Sequence, residues 1–270
     1  MKKILYLVFF AAAFVACNQN AVTGRKQLAL FPESELQQQA LTQYRTFLSQ
    51  NKVMSETTNR DAEMVKRVGT RIARAITTYY SQKGLAKELA GYNWEFNLVN
   101  SNEVNAWCMP GGKVVVYTGL LPITQNEAAL AVVLGHEITH AVAHHGNERM
   151  SQLVIAQGLE VTGNILTSGN PKVNSIFNSV FAPGAQVAVL LPNSRNEEYE
   201  ADHFGLFFAA MAGYNPREAI PFWERMGKAG SATKPPEFLA THPSDDNRIS
   251  RLQGYMDEAL SYYKPVSSGH

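Results

Sequence analysis

Cysteine is nearly missing from this chain, with only two among 270 residues, at positions 17 and 108. Cys17 belongs to an N-terminal signal segment, so Cys108 has no partner for an internal disulfide and reads as a free buried thiol. A surplus of one charge is also missing. Lysine and arginine number 24 against 23 acids, and no basic cluster occurs, so no nucleic-acid partner is expected. Beyond the N-terminus no stretch reaches the roughly 18 apolar residues that a membrane helix needs. What is present is ordinary for a globular catalytic or binding domain: 45% hydrophobic and 17% charged residues.

Residues 1–17 form a separate object. Lys2 and Lys3 give a positive start, and Ile4 to Ala16 make an apolar stretch too short to span a bilayer. It closes on Phe14-Val15-Ala16-Cys17, which resembles a bacterial lipoprotein signal, with Phe14 where leucine is usual. The resemblance implies that Cys17 is lipidated and that the protein is anchored to a membrane of a bacterial cell envelope, facing the periplasm. The polar residues 18–30 then read as a tether, and residues 31–264 as a single folded domain.

Within that domain the apolar spacing predicts helices from Pro32-Glu33 through Leu48 and over 61–82. Alternation predicts a strand at 94–99, and 105–109 and 113–118 look like two more, separated by a turn at Pro110-Gly111-Gly112. Thr124 and Glu127 read as a capping box opening a long helix to about His145, stopped by Gly146. Helices follow at 147–165, 196–212, 216–227 and from Asp245 or Asp246 to Tyr263. Residues 166–193, rich in Ser, Gly, Asn and Pro, suggest a mobile cover. The pattern is an α+β domain, mostly helical, with one small β-sheet.

The chemistry lies in His136-Glu137-Ile138-Thr139-His140, a His-Glu-x-x-His on the apolar helix. Four residues turn a helix through about 400°, so the two imidazoles leave one face and can grip one Zn²⁺. Glu137, next to the first ligand, reaches the water on the metal and serves as its base. A third ligand is required. On a continuous helix His144 lies too far along the axis and His145 points away, so both read as surface or capping residues near a helix end. The acidic run Glu197-Glu198-Tyr199-Glu200-Ala201-Asp202 is the better source, with Glu198 and Asp202 sharing a face. One can bind zinc while the other supports a ligating imidazole, but spacing leaves Glu197 and Glu200 open as well.

These residues carry a family resemblance. Asn105-Ala106-Trp107, Pro110-Gly111-Gly112, Tyr117 to Leu121, His136 to His140, Ser194-Arg195 with Glu198 to Asp202, and Thr241-His242-Pro243 together resemble the M48 peptidases, a gluzincin family, over about residues 60–255. The resemblance implies a zincin-like fold, one Zn²⁺ per chain, Glu198 as third ligand and Asp202 in support. It implies hydrolysis of internal peptide bonds in polypeptide substrates, with misassembled envelope proteins as the targets that export and anchoring suggest. The competing class is a chaperone-like binding protein using the same groove with little turnover; an intact Glu137 speaks for the enzyme.

Two further roles are expected. His242, held extended by Pro243, faces the metal and either donates to the oxyanion or caps the zinc at rest. Asn105, Ala106 and Trp107 belong to an edge strand that takes substrate as an added strand.

Overall fold

A computed structural model describes residues 17–158, 170–182, 194–230, 236–242 and 247–265. The expected signal segment up to Ala16, most of the expected mobile cover, Pro243 and the expected caps Asp245 and Asp246 lie outside the described residues.

Helix α1 (Glu33–Gln50) starts after Pro32 with acids Glu33 and Glu35 in its first turn, as the sequence predicts. Helix α2 (Arg60–Gln82) is capped by the Asn59 side chain, which accepts from the Ala62 N–H. Its stripe Val65, Val68, Ile72 and Ile76 is fully buried. Three of the expected strands form one sheet: β3 (Glu95–Val99), β4 (Ala106–Met109) and β5 (Lys113–Tyr117), in the order β3-β5-β4. The first pair is parallel and the second antiparallel, leaving β4 on an edge. Pro110 and Gly111 fill a turn closed by the Gly112 N–H to the Met109 carbonyl; Gly111, at φ 80°, adopts the left-handed conformation that the third residue of a type II turn needs.

The sheet separates two cores. One face packs with α1, α5 and α6 around Tyr44, Tyr117, Met150 and Phe177. The other meets α2, α4 and the C-terminal helices around Ile72, Leu134, Phe208 and Phe222. Here α4 is Glu127–Val142, α5 His145–Ala156 and α6 Pro171–Phe181. Helix α7 (Ser194–Met211), α8 (Ala219–Gly230), α9 (Glu237–Thr241) and α10 (Arg248–Tyr262) complete the chain order. No described helix is long and apolar enough to cross a membrane.

Helix α4 is buried from Ala129 to Val142 on every side, the mark of a helix running through the middle of a domain. Its start differs from expectation. Thr124 ends a short helix α3 (Leu121–Thr124) and bonds back to the Leu121 carbonyl, while Asn126 caps α4 by accepting from the Ala129 N–H. Its end differs too. The chain breaks at His144, whose φ of 56° is left-handed, so α5 begins at His145 on a new axis rather than continuing the old one.

Two glycines set the crossing of α4 and α7. A Cβ on Gly135 would stand 2.4 Å from the Gly205 carbonyl oxygen, and one on Gly205 would stand 2.6 Å from the His136 backbone nitrogen. The backbones therefore touch, at the residue before His136 and two turns after Glu198.

The stretch expected as a tether is folded. Strand β1 (Cys17–Gln19) pairs antiparallel with β2 (Lys26–Leu28). Asn20 and Gln27, both buried, donate to the Ala143 carbonyl at 2.9 Å each and so satisfy the frayed end of α4.

Candidate metal centre

The helix crossing brings His136 and His140 of α4 against Glu198 of α7, and the turn after α9 adds His242. The two Nε2 atoms of His136 and His140 stand 3.1 Å apart. Glu198 lies 3.3 Å from the first and 3.4 Å from the second. His242 Nδ1 is 3.2 Å from His136 Nε2 and 3.1 Å from Glu198 Oε1. Ligand atoms about 2.0–2.1 Å from a tetrahedral zinc stand roughly 3.3 Å from one another. The donor spacing is therefore that of a zinc tetrahedron, and all four side chains are buried.

Proton positions agree. His136 Nδ1 lies 3.1 Å from Asp202 Oδ1, which also accepts from Arg248 at 2.6 Å. A proton held at Nδ1 by that carboxylate leaves Nε2 bare for a metal. Arg248, itself buried, lies with its guanidinium 3.3 Å from the centre of the Trp223 ring. Burial alone would raise the Glu198 carboxyl, but His242, His140 and His136 together hold it well below the usual range. Burial pushes His140 well below the usual imidazole range, neutral as a metal ligand must be.

Glu137 carries an open acceptor in this set, as Arg248 carries open donors at Nε and Nη1. The Glu137 Oε1 is buried and makes no hydrogen bond, although His242 Nε2 stands 3.3 Å away. Burial first, and the Glu198 charge among the lesser causes, push its carboxyl up to about 7. A carboxyl with that value is poised to exchange protons near neutrality.

The acids that helical spacing could not separate have distinct partners. Glu197 is fully buried and accepts from Arg149 Nε at 2.6 Å. Glu198 joins the cluster. Glu200 accepts from His145 and from Arg25 of the N-terminal hairpin. His145 corrects the sequence reading: it is fully buried, with Nδ1 2.8 Å from His140 Nδ1. The reading failed because it carried α4 through His145 as one helix, whereas the left-handed His144 turns the next side chain inward. His144 itself is partly buried and lies 3.1 Å from Glu33.

A groove runs beside the cluster, lined by Asn105 to Pro110, Glu137, His140, Arg149 and His242. Strand β4 thus borders it. Trp107 turns its ring to the far side, edge-on to Phe47 and Tyr44. Cys108 is a free thiol, pushed well above its ordinary value by burial and then by the Glu137 charge, which makes it a poor nucleophile.

The family model described as peptidase family M48 matches residues 59–256. The chain is 38% identical over 183 residues to the mitochondrial metalloendopeptidase OMA1 of Arabidopsis thaliana, covering 67% of this chain and 36% of that protein. It is 30% identical over 263 residues to the mitochondrial metalloendopeptidase OMA1 of Bos taurus, covering 95% and 49% respectively. A beta-barrel assembly-enhancing protease of Yersinia pestis is 34% identical over 162 residues, covering 58% and 33%. The alignments take in half or less of each of these three relatives.

Proposed function

This chain belongs to peptidase family M48, a family of zinc metallopeptidases, and from that premise we propose that it cuts internal peptide bonds of misassembled proteins at a bacterial envelope membrane. The observation that carries the reading is a set of buried donors at tetrahedral spacing beside a buried carboxyl whose Oε1 makes no hydrogen bond, bordering an edge strand.

In this reading His136, His140 and Glu198 hold the zinc. When bound, the zinc supplies a Lewis acid that polarises a carbonyl and makes its water more acidic. Glu137 takes the water's proton on its free Oε1 and delivers it to the leaving amine nitrogen. Asp202 keeps the His136 proton on Nδ1, and Arg248 holds Asp202. The main chain of Asn105, Ala106 and Trp107 receives substrate as a further strand, which gives broad sequence tolerance. A peptide-bound structure with its ligand away from β4 would dismiss that part.

His242 caps the donor set at rest and, when displaced by substrate, donates to the oxyanion. The variant His242→Ala is expected to lower kcat by about a hundredfold with zinc still bound. An unchanged kcat removes His242 from the mechanism.

Export and lipidation at Cys17 place the domain at a membrane. Two of the relatives are named for mitochondria and one for β-barrel assembly, so the envelope setting rests on the signal-like N-terminus. The purified chain should degrade casein, stop with a chelator and recover with zinc. Cys17→Ala should keep that activity and leave the membrane fraction. Activity indifferent to chelation ends the zinc reading; a Cys17→Ala variant that stays membrane-bound ends only the anchor.

A further inference from the structure

His140 presents Nε2 to the donor set and Nδ1 to His145, whose Nδ1 is 2.8 Å away. Only one proton fits between two ring nitrogens at that distance. A bare Nε2 on His140 requires that its Nδ1 carry the proton and donate it to His145 Nδ1. His145 must then keep its own proton on Nε2, which lies 2.9 Å from Glu200 Oε2. Glu200 Oε1 in turn accepts from Arg25 Nε at 2.6 Å, and Oε2 from Arg25 Nη2 at 3.2 Å. Every proton in this chain has one place, and the far end fixes the direction.

Arg25 is built to hold that end. It projects from the hairpin between β1 and β2, and its guanidinium also forks onto Glu148 at 2.8 and 2.6 Å. Glu148 lies three residues after His145 in α5, and Glu200 lies in α7, so one planar group bridges both helices behind the metal centre. The left-handed conformation at His144 is what aims His145 into this line.

We propose that Arg25 is a positioning residue for the zinc ligand His140, acting through Glu200 and His145. Released from Arg25, the partly exposed Glu200 turns toward solvent and His145 loses its acceptor. His145 then moves its proton to Nδ1 and donates back to His140, which drives the His140 proton to Nε2 and occupies the atom that must bind metal. The inference rests on the zinc reading above.

The test is the rate at which zinc-loaded full-length protein surrenders its metal to an excess of chromogenic chelator, with near-ultraviolet circular dichroism confirming the fold. Arg25→Met is expected to lose zinc about tenfold faster than wild type, and Glu200→Gln similarly. The double variant should be no faster than either single one, because both act on one line. Nitrogen-15 imidazole shifts should place the His145 proton on Nε2 in wild type and spread it over both nitrogens in Arg25→Met. A wild-type release rate in Arg25→Met, or multiplied effects in the double variant, overturns the proposal. Should Arg25→Met not fold, Arg25→Lys, which keeps the charge without the fork, must still release zinc several-fold faster, and a wild-type rate there has the same consequence. Wild-type protein that takes up no zinc sinks the metal reading itself, whereas a stoichiometrically loaded protein indifferent to Arg25 sinks this inference alone.

Discussion

Glu137→Gln is expected to retain one zinc per chain and to lose peptide hydrolysis by about a thousandfold or more. The substitution keeps the shape and removes a buried carboxylate oxygen that makes no hydrogen bond and faces the donor set. A chaperone-like protein on this scaffold would keep its function in the same variant, so casein turnover and casein binding measured side by side separate the two. Turnover within tenfold of wild type would falsify the assignment of Glu137 as base. The variant has a second signature in the metal-free protein. The folded Glu137 carboxyl is raised to about 7 from the ordinary 4.5, so the folded state holds that proton more tightly than the unfolded chain. The group favours the fold most below pH 4.5, and that contribution declines as pH rises through 4.5 to 7. At pH 8 metal-free Glu137→Gln should therefore be more stable than metal-free wild type, by up to about 3 kcal/mol, and the two should converge near pH 4. Parallel pH–stability curves would show that burial does not act on this carboxyl.

Gly205→Ala is expected to cost both fold and metal. The added carbon would meet the His136 backbone nitrogen at 2.6 Å, and backbone cannot swing aside as a side chain does. Helices α4 and α7 must separate, at a cost of about 1–3 kcal/mol. The separation carries Glu198 away from the imidazoles, so zinc content should fall well below one per chain even in molecules that remain folded. In an exposed helix the same change would stabilise by about 1 kcal/mol. A rise in stability with full zinc occupancy would mean that the two helices do not meet at this point in solution.

The pairing of His136 with His140 on one helix face was legible because four residues on a helix leave little freedom. The strand at 95–99 was legible from alternation, and those at 106–109 and 113–117 from the Pro-Gly-Gly turn between them. Helical spacing did not separate Glu197, Glu198 and Glu200, because the partner of each is supplied by another element: Arg149 from α5, the imidazoles from α4, and His145 with Arg25. His145 was misjudged because no glycine or proline marks the left-handed turn at His144. Gly135 and Gly205 each carry the propensity cost of a mid-helix glycine, but the sequence does not show that they face each other. The N-terminal stretch looked like solvated tether because its Asn and Gln are polar. Asn20 and Gln27 are buried because the open carbonyl of Ala143 needs donors, a demand created only once α4 is in place.

The hairpin at residues 17–28 bears on where the enzyme works. Strand β1 begins at Cys17 itself, so no slack chain separates the proposed lipid attachment from the folded body. A flexible leash of a dozen residues would let the catalytic groove roam some tens of ångströms above the bilayer. With the proposed lipid on Cys17 the stalk would be close to zero in length. The groove would then work within a thin layer at the membrane surface and act on chains that linger there.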